Sequence, residues 1–416
     1  MWELIHANKR NSVILMVLMA VLLLLLGVII GMAVVGPQGG LIGLGAAAVV
    51  WLILALVSFS SGDQILLAAS GAQPVTHDVH PQLFNVVEEM KIAAGLPAMP
   101  RIYIINDPAP NAFATGRSPR SASLAVTAGL LARLNRDELQ GVVAHEMSHI
   151  LHRDILYVML AGIMLGGVVL LSQVFLRGTY YGSMGHHRRY SSSQRGGGQG
   201  QAVIVIIAVL AAILAPLMAQ LLYFAVSRRR EYLADAGAVR LTRYPEGLAS
   251  ALEKIANDPS PQLASANNVN APMYIANPFK RRGQRTLSDL TSTHPPISER
   301  IRILRNMAQG ASFRDYAQAY TAVTRSRNIV PAAALTKEEV RIREAGAEAA
   351  KQEKVQKQMR QVGDIMRKVN GFLFLTCACG LKLKVPPNFK ADTVQCPRCN
   401  RTLHLHDQSA TLAVTN

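Results

Sequence analysis

Val143-Ala144-His145-Glu146-Met147-Ser148-His149-Ile150 is the stretch on which the reading of this chain turns. Two histidines four residues apart on a helix project from one face, so both imidazoles can reach a single metal ion. Glu146, beside the first histidine, points toward water that such a metal would acidify, which is the place of a general base. Helix signals surround the motif. Asn135 with Glu138 forms a capping-box pattern, and Leu139, Val142, Val143 and Met147 recur at helical spacing. An ordinary helix with two surface histidines would show the same letters, so a third ligand must decide.

The extended pattern with glycine and then histidine beyond the motif is not met, because those positions hold His152 and Ile155. A carboxylate from a later helix is the other solution, and Glu231 is the best candidate. It opens a helical stretch with Tyr232, Ala236, Ala238 and Val239, and Asp235 follows one turn on along the same face. Asp235 is placed to accept a hydrogen bond from a ligand histidine and so fix its tautomer. The alternative makes Glu231 an ion-pair partner of the arginines before it. His152 stands one residue off the line of the histidine pair, which suits packing or support better than ligation.

The chain has 416 residues, of which 50% are hydrophobic, enough for two or three domains. Four apolar runs, at about 12–35, 41–59, 155–176 and 202–226, are long enough to cross a bilayer. The first is too long for a secretory signal, lacks a persuasive cleavage site and is followed at once by a second span. Lys9 and Arg10 before the first span, with an uncharged connection after it, place the N-terminus in the cytoplasm. Arg177, Arg188, Arg189 and Arg195 would then lie outside, which suits a second hairpin packed on the body in place of a fully inserted pair. The net charge of +17 is read as basic faces beside anionic headgroups. Nucleic acid is an unlikely partner, since no helix carries a groove-reading pattern.

Around the motif, residues 72–78 read as a linker and 81–95 as a helix ended by Gly95 and Pro97. Residues 101–106 and 122–127 read as strands. Asn111-Ala112-Phe113-Ala114-Thr115-Gly116, between them, is either a hairpin loop or an edge that takes an extended substrate by strand addition. The metal helix is expected to run on through His152 and Asp154 into the third apolar run. The fourth run leads straight into Glu231, so both catalytic helices would continue membrane segments.

His145-Glu146-Met147-Ser148-His149 with Asp154, the segment 111–116, residues 227–235, and Ser292-Thr293-His294-Pro295-Pro296 followed by Arg300 together resemble the HtpX family. These are bacterial membrane-bound zinc metalloproteases related to the CAAX prenyl endopeptidases, and the likeness runs from residue 1 to about 310. It implies zinc held by His145, His149 and Glu231, with Glu146 as catalytic base. It implies an active site on the cytoplasmic side of the inner membrane and quality control of misfolded or damaged membrane proteins. By the same resemblance Asn111, Ala112 and Phe113 bind substrate, while Asp154, Asp235, Arg228 and Arg230 support the ligands from behind. His294 is either an oxyanion donor or a turn residue stiffened by two prolines. The expected fold is a mostly α membrane protein with four transmembrane segments, an α+β zincin catalytic domain of gluzincin type and, outside the resemblance, a small zinc ribbon.

Beyond residue 310 that pattern ends. Residues 336–370 read as a solvated helix or linker. Cys377, Cys379, Cys396 and Cys399 then form two close pairs, the spacing of a four-thiolate structural zinc site in a ribbon, with Cys-x-Cys in the first pair where Cys-x-x-Cys is commoner. Metal would supply most of the folding free energy of so short a module, which is expected to contact a protein partner or substrate. The expected divisions are a transmembrane hairpin (1–71), the first part of the catalytic domain (72–154), a second hairpin (155–226), the second part of the catalytic domain (227–330), a charged helical linker (331–370) and the ribbon with its tail (371–416). The expected function is a membrane-embedded zinc endopeptidase acting on membrane-protein or peptide substrates. The rival is an inactive membrane adaptor that presents the ribbon, and a prenyl-protein endopeptidase would need more spans than four.

Overall fold

The computed structural model describes residues 2–185, 198–259, 266, 273–276, 295–307, 310–326, 329–330, 335, 340–345, 355–389 and 391–405. Helices α1 (Trp2–Val35) and α2 (Gly39–Ala69) form the first hairpin. Apolar faces gain nothing by meeting each other in lipid, so close backbone approach has to hold the pair. Gly27 and Gly31 provide it against Gly39 and Gly43: a methyl on Gly43 would collide with the Gly27 carbonyl oxygen. Gly43→Val is therefore expected to force the helices apart at a cost of about 3 kcal/mol, the upper end for overpacking. Gly45→Val, where an added Cβ would meet no atom of another element within 4 Å, should leave the helix pair in place. Thermal unfolding of the two variants in detergent checks this.

Further along the chain, α6 (Ile155–Gly185) and α7 (Gly198–Thr242) form the second hairpin. Among the described residues four segments are long and apolar enough to cross a membrane: Val13–Val35, Gly39–Ala69, Met159–Tyr181 and Gly200–Leu222.

Outside the spans, β1 (Ala72–Pro74), β2 (Arg101–Ile105), β3 (Ala112–Thr115) and β4 (Ser123–Thr127) form one sheet in the order β1-β2-β4-β3. The β2–β4 pair is parallel and the other two are antiparallel. The segment expected to be a linker thus begins as a strand: with β2 beside it, the backbone of Ala72–Pro74 finds partners that water would otherwise supply. Segment 111–116 is the edge strand and not a hairpin loop. Its side chains alternate as a strand requires. Ala112 and Ala114 face the main core, while Phe113 packs with Leu67, Ile105 and Tyr274 on the other face.

Helix α3 (Pro81–Ala94) ends at Gly95 in the left-handed region, φ +63°. A short α4 (Ala128–Arg133) leads to the metal-motif helix α5 (Arg136–Leu151), whose capping box between Asn135 and Glu138 is closed. Only one catalytic helix continues a membrane segment. Helix α7 runs unbroken past Pro216 to Thr242, but α5 stops at Leu151, Arg153 takes φ +56°, and α6 starts afresh. The break has a use, since it folds Asp154 back onto His149, with the Asp154 amide 3.3 Å from the His149 carbonyl.

Helices α8 (Pro245–Asn257), α9 (Ile297–Arg305) and α10 (Phe313–Thr324) complete the core against α5 and α7. Helix α11 (Val355–Val369) is not simply solvated. It buries Val362 in the same core and lays Ile365, Met366 and Val369 against it. Hairpins β5 (Leu373–Thr376) with β6 (Lys382–Val385) and β7 (Thr393–Gln395) with β8 (Thr402–His404) follow.

Candidate metal centre and active site

Helix α5 brings His145 and His149 one turn apart, with their Nε2 atoms 3.3 Å from each other. Helix α7 passes close by, because Gly237 admits Ser148 and His152 where any side chain would collide. That approach sets Glu231 Oε2 3.6 Å from His145 Nε2 and Glu231 Oε1 3.5 Å from His149 Nε2. One ligand atom from each of the three residues falls within 4.8 Å of the others.

Behind the ligands each imidazole meets a carboxylate. His145 Nδ1 lies 3.0 Å from Asp235 Oδ1, and His149 Nδ1 lies 3.1 Å from Asp154 Oδ2. A carboxylate only accepts, so both Nδ1 atoms are the donors and both Nε2 atoms present lone pairs. Two lone pairs and a carboxylate then converge on one point. Such a set wants a cation, and two imidazoles with one carboxylate is a zinc donor set. Glu146 supplies a second sign, for its Oε1 is buried without a hydrogen-bond partner among the described residues.

Burial favours the neutral imidazole, yet the neighbouring carboxylates outweigh it and raise His145 and, further, His149 above the ordinary histidine value. Burial raises Glu146 too, against the pull of the two imidazoles. Burial would raise Asp235 as well, but Arg300 and His145 hold it below the usual carboxylate range.

Arg300 has no exposed surface. Its Nε and Nη2 donate to the Asp235 carboxylate at 2.9 and 2.7 Å, Nη1 donates to the Ile275 carbonyl at 2.9 Å, and Nη1 lies 3.5 Å from Glu231 Oε2. It therefore balances two acidic groups of the site. The motif pattern includes Arg300 but gives it no role; an arginine at that spacing from a proline pair carries no metal-site signal of its own.

The edge of β3 borders this cluster. The Asn111 and Thr127 backbones pair across the strands, which turns the backbone N–H and C=O groups of Ala112 and Ala114 away from β4. The Ala112 carbonyl accepts from the Ile275 amide at 2.9 Å, and Asn111 Nδ2 donates to the Ala276 carbonyl at 3.0 Å. Tyr274 meets Phe113 edge-on, with ring centroids 5.1 Å apart.

His152 is buried, pushed down to about 4 by that burial, and its Nε2 has no hydrogen-bond partner among the described residues; it stands apart from the three ligand atoms. Arg230 is buried and Arg228 half-buried on α7. His294 lies outside the described residues. At the C-terminus, Cys377 and Cys399 sulfurs are 3.4 Å apart and those of Cys379 and Cys396 3.6 Å, all four within 4.8 Å of one another.

The sequence profile of peptidase family M48 matches residues 78–308, more than half of the chain. The chain belongs to peptidase family M48. A protease HtpX homolog of Dictyoglomus thermophilum is 43% identical to this M48 chain over 309 residues, 74% of the chain and 95% of the relative. One from Ligilactobacillus salivarius is 41% identical over 308 residues, covering 74% and 100%. A crystal structure of S. mikatae Ste24p aligns with a TM-score of 0.34 at 20% identity, over 61% of this chain and 58% of that one. The protein is thus an HtpX-type membrane metalloprotease, and M48 metalloproteases use zinc. The converging donors on α5 and α7 fit that metal.

Proposed function

We propose that this M48 chain is a zinc endopeptidase that hydrolyses peptide bonds of misfolded or damaged membrane proteins, in the inner membrane and with its catalytic body facing the cytoplasm. The convergence of His145 Nε2, His149 Nε2 and the Glu231 carboxylate carries the reading. These three residues would hold zinc, whose chemistry there would be to polarise a carbonyl and acidify water.

The chain's own residues do the rest. Glu146 takes the proton of the attacking water and passes it to the leaving amine, and its burial suits a base that must also act as an acid. Asp235 and Asp154 hold the imidazoles in the tautomer that directs Nε2 inward. The outward carbonyl of Ala114 binds an extended substrate backbone, while Asn111, Ala112 and Phe113 fix the strand, the Ala112 carbonyl being held by the Ile275 amide. Arg230 and Arg228 support α7, and His294 serves the oxyanion. Because α7 is a single helix from span to ligand, substrate enters beside the bilayer.

Four thiolates form a closed set, so a zinc held by them would be structural, and the chain would bind two ions in all. Substituting all four cysteines by serine is expected to halve the zinc content and unfold 371–405 while cleavage persists; zinc analysis checks it, and complete loss of zinc would contradict it. The function itself is tested with purified full-length chain and a denatured membrane protein. Chelation should stop cleavage and added zinc restore it, whereas cleavage indifferent to chelator would end the proposal.

A further inference from the structure

Helix α7 carries Glu231 and Asp235 and then has to stop. The last turn of a helix leaves backbone carbonyls without partners inside it, and each must be met from elsewhere. The chain leaves α7 through Arg243 at φ +55°, a left-handed conformation that a residue with a side chain keeps only when its surroundings hold it. Both needs are served from beyond residue 308, where the M48 match ends. The Arg343 amide donates to the Arg243 carbonyl at 2.9 Å, and Arg343 Nε donates to the Thr242 carbonyl at 3.0 Å. The guanidinium also lies over the Tyr244 ring, 4.8 Å from its centroid. One arginine thus caps the end of α7 and grips the turn that follows.

The same side chain reaches α5. Arg343 Nη2 donates to Asp137 Oδ1 and to Gln140 Oε1, each at 2.7 Å. Both acceptors are buried, and both lie in the first two turns of α5. A planar guanidinium with its fan of N–H donors can serve a helix end, a carboxylate and an amide together, which an ammonium cannot. The strap is pinned ahead of the arginine as well, since the Val340 carbonyl accepts from the Ala311 amide at 2.8 Å.

Helices α5 and α7 make their close approach at Gly237, against Ser148 and His152. One close point lets two rods pivot; a second point away from it fixes the angle between them. The turn after α7 supplies that second point. A methyl on Gly247 would stand 2.8 Å from the Asp137 carbonyl oxygen, so the turn sits on the start of α5, and Arg343 fastens it there. His145 and His149 ride on α5 and Glu231 on α7, so the angle sets how closely the three donors converge.

We propose that Arg343 is a positioning residue for the metal centre, and that segment 340–343 clamps the end of α7 to the start of α5. The proposal rests on the reading that His145, His149 and Glu231 hold zinc. It adds that a part of the chain outside the M48 match tunes that site.

Zinc titration of the metal-stripped, full-length chain against a chromophoric chelator tests this. Zinc held by the cysteines is released by a mercurial reagent and so counted separately. Arg343→Ala should weaken the other site about fivefold, within the range for substitutions that touch no ligand. Arg343→Lys should weaken it about twofold, and it decides by the same criterion if the alanine variant does not fold. Val362→Ala, which thins the core under α11, should lower the melting temperature and leave zinc affinity unchanged. Wild-type affinity in the folded Arg343 variants overturns the clamp alone. An equal loss in Val362→Ala also overturns it, because general loosening would then account for the effect. A wild-type chain that takes up zinc only at its cysteines overturns the clamp together with the reading beneath it.

Discussion

Glu146→Gln is expected to lower kcat/KM for a membrane-protein substrate by at least about a thousandfold while zinc content stays at the wild-type level. The substitution keeps the shape of the side chain and removes its ability to hold a proton. Glu146 is not among the three converging ligand residues, so the metal set of His145, His149 and Glu231 is left intact. Its Oε1 already lacks a hydrogen-bond partner among the described residues, so the amide disturbs no existing bond at that atom. The effect should fall on kcat, since the β3 edge that holds substrate is untouched. Wild-type cleavage by the zinc-loaded Glu146→Gln protein would remove Glu146 from the mechanism. A variant that binds substrate without cutting also retains it, so crosslinking the same protein in membranes should identify the substrates.

The parts of this site that sequence discloses are those set by local periodicity. His145 and His149 share a face because they are one helical turn apart, and Glu231 with Asp235 does so for the same reason. Asn135 and Glu138 signal a helix start because capping chemistry is local. What stays hidden is what distance in sequence conceals. Arg300 meets Asp235 across 65 positions, and Arg343 reaches Asp137 and Gln140 across more than 200. Neither arginine sits in a pattern that reveals its partner. Strand β1 is not legible because three residues carry no period and gain their hydrogen bonds only when β2 is beside them. Helix α11 is obscured for another reason. Val362, Ile365, Met366 and Val369 do recur at helical spacing, but the charged stretch before them dilutes the signal when 336–370 is read as one segment.

Asp235→Ala is expected to cost about 3–5 kcal/mol of stability, the range for removing one partner of a buried ion pair. Asp235 and Arg300 are both without exposed surface, and the carboxylate accepts two hydrogen bonds from the guanidinium and faces His145 as well. Without it the guanidinium keeps the Ile275 carbonyl, its approach to Glu231 and a 3.5 Å contact with His145 Nδ1, none of them a full counter-charge at hydrogen-bond distance. Thermal unfolding of the metal-free protein reads this loss. A second effect is separable. Zinc affinity should fall about ten- to a hundredfold, because His145 loses the acceptor that fixes its tautomer, and competition with a chromophoric chelator reads that. The two are told apart by replacing both partners, Asp235→Leu with Arg300→Met, which leaves no buried charge unpaired. Stability should largely return in the double variant, since an apolar pair of similar volume can stand in for a buried ion pair. Zinc affinity should not return, because no apolar side chain accepts a proton from His145 Nδ1. Recovery of both together would show that the pair merely fills space, and that the imidazole needs no help from α7 to face the metal.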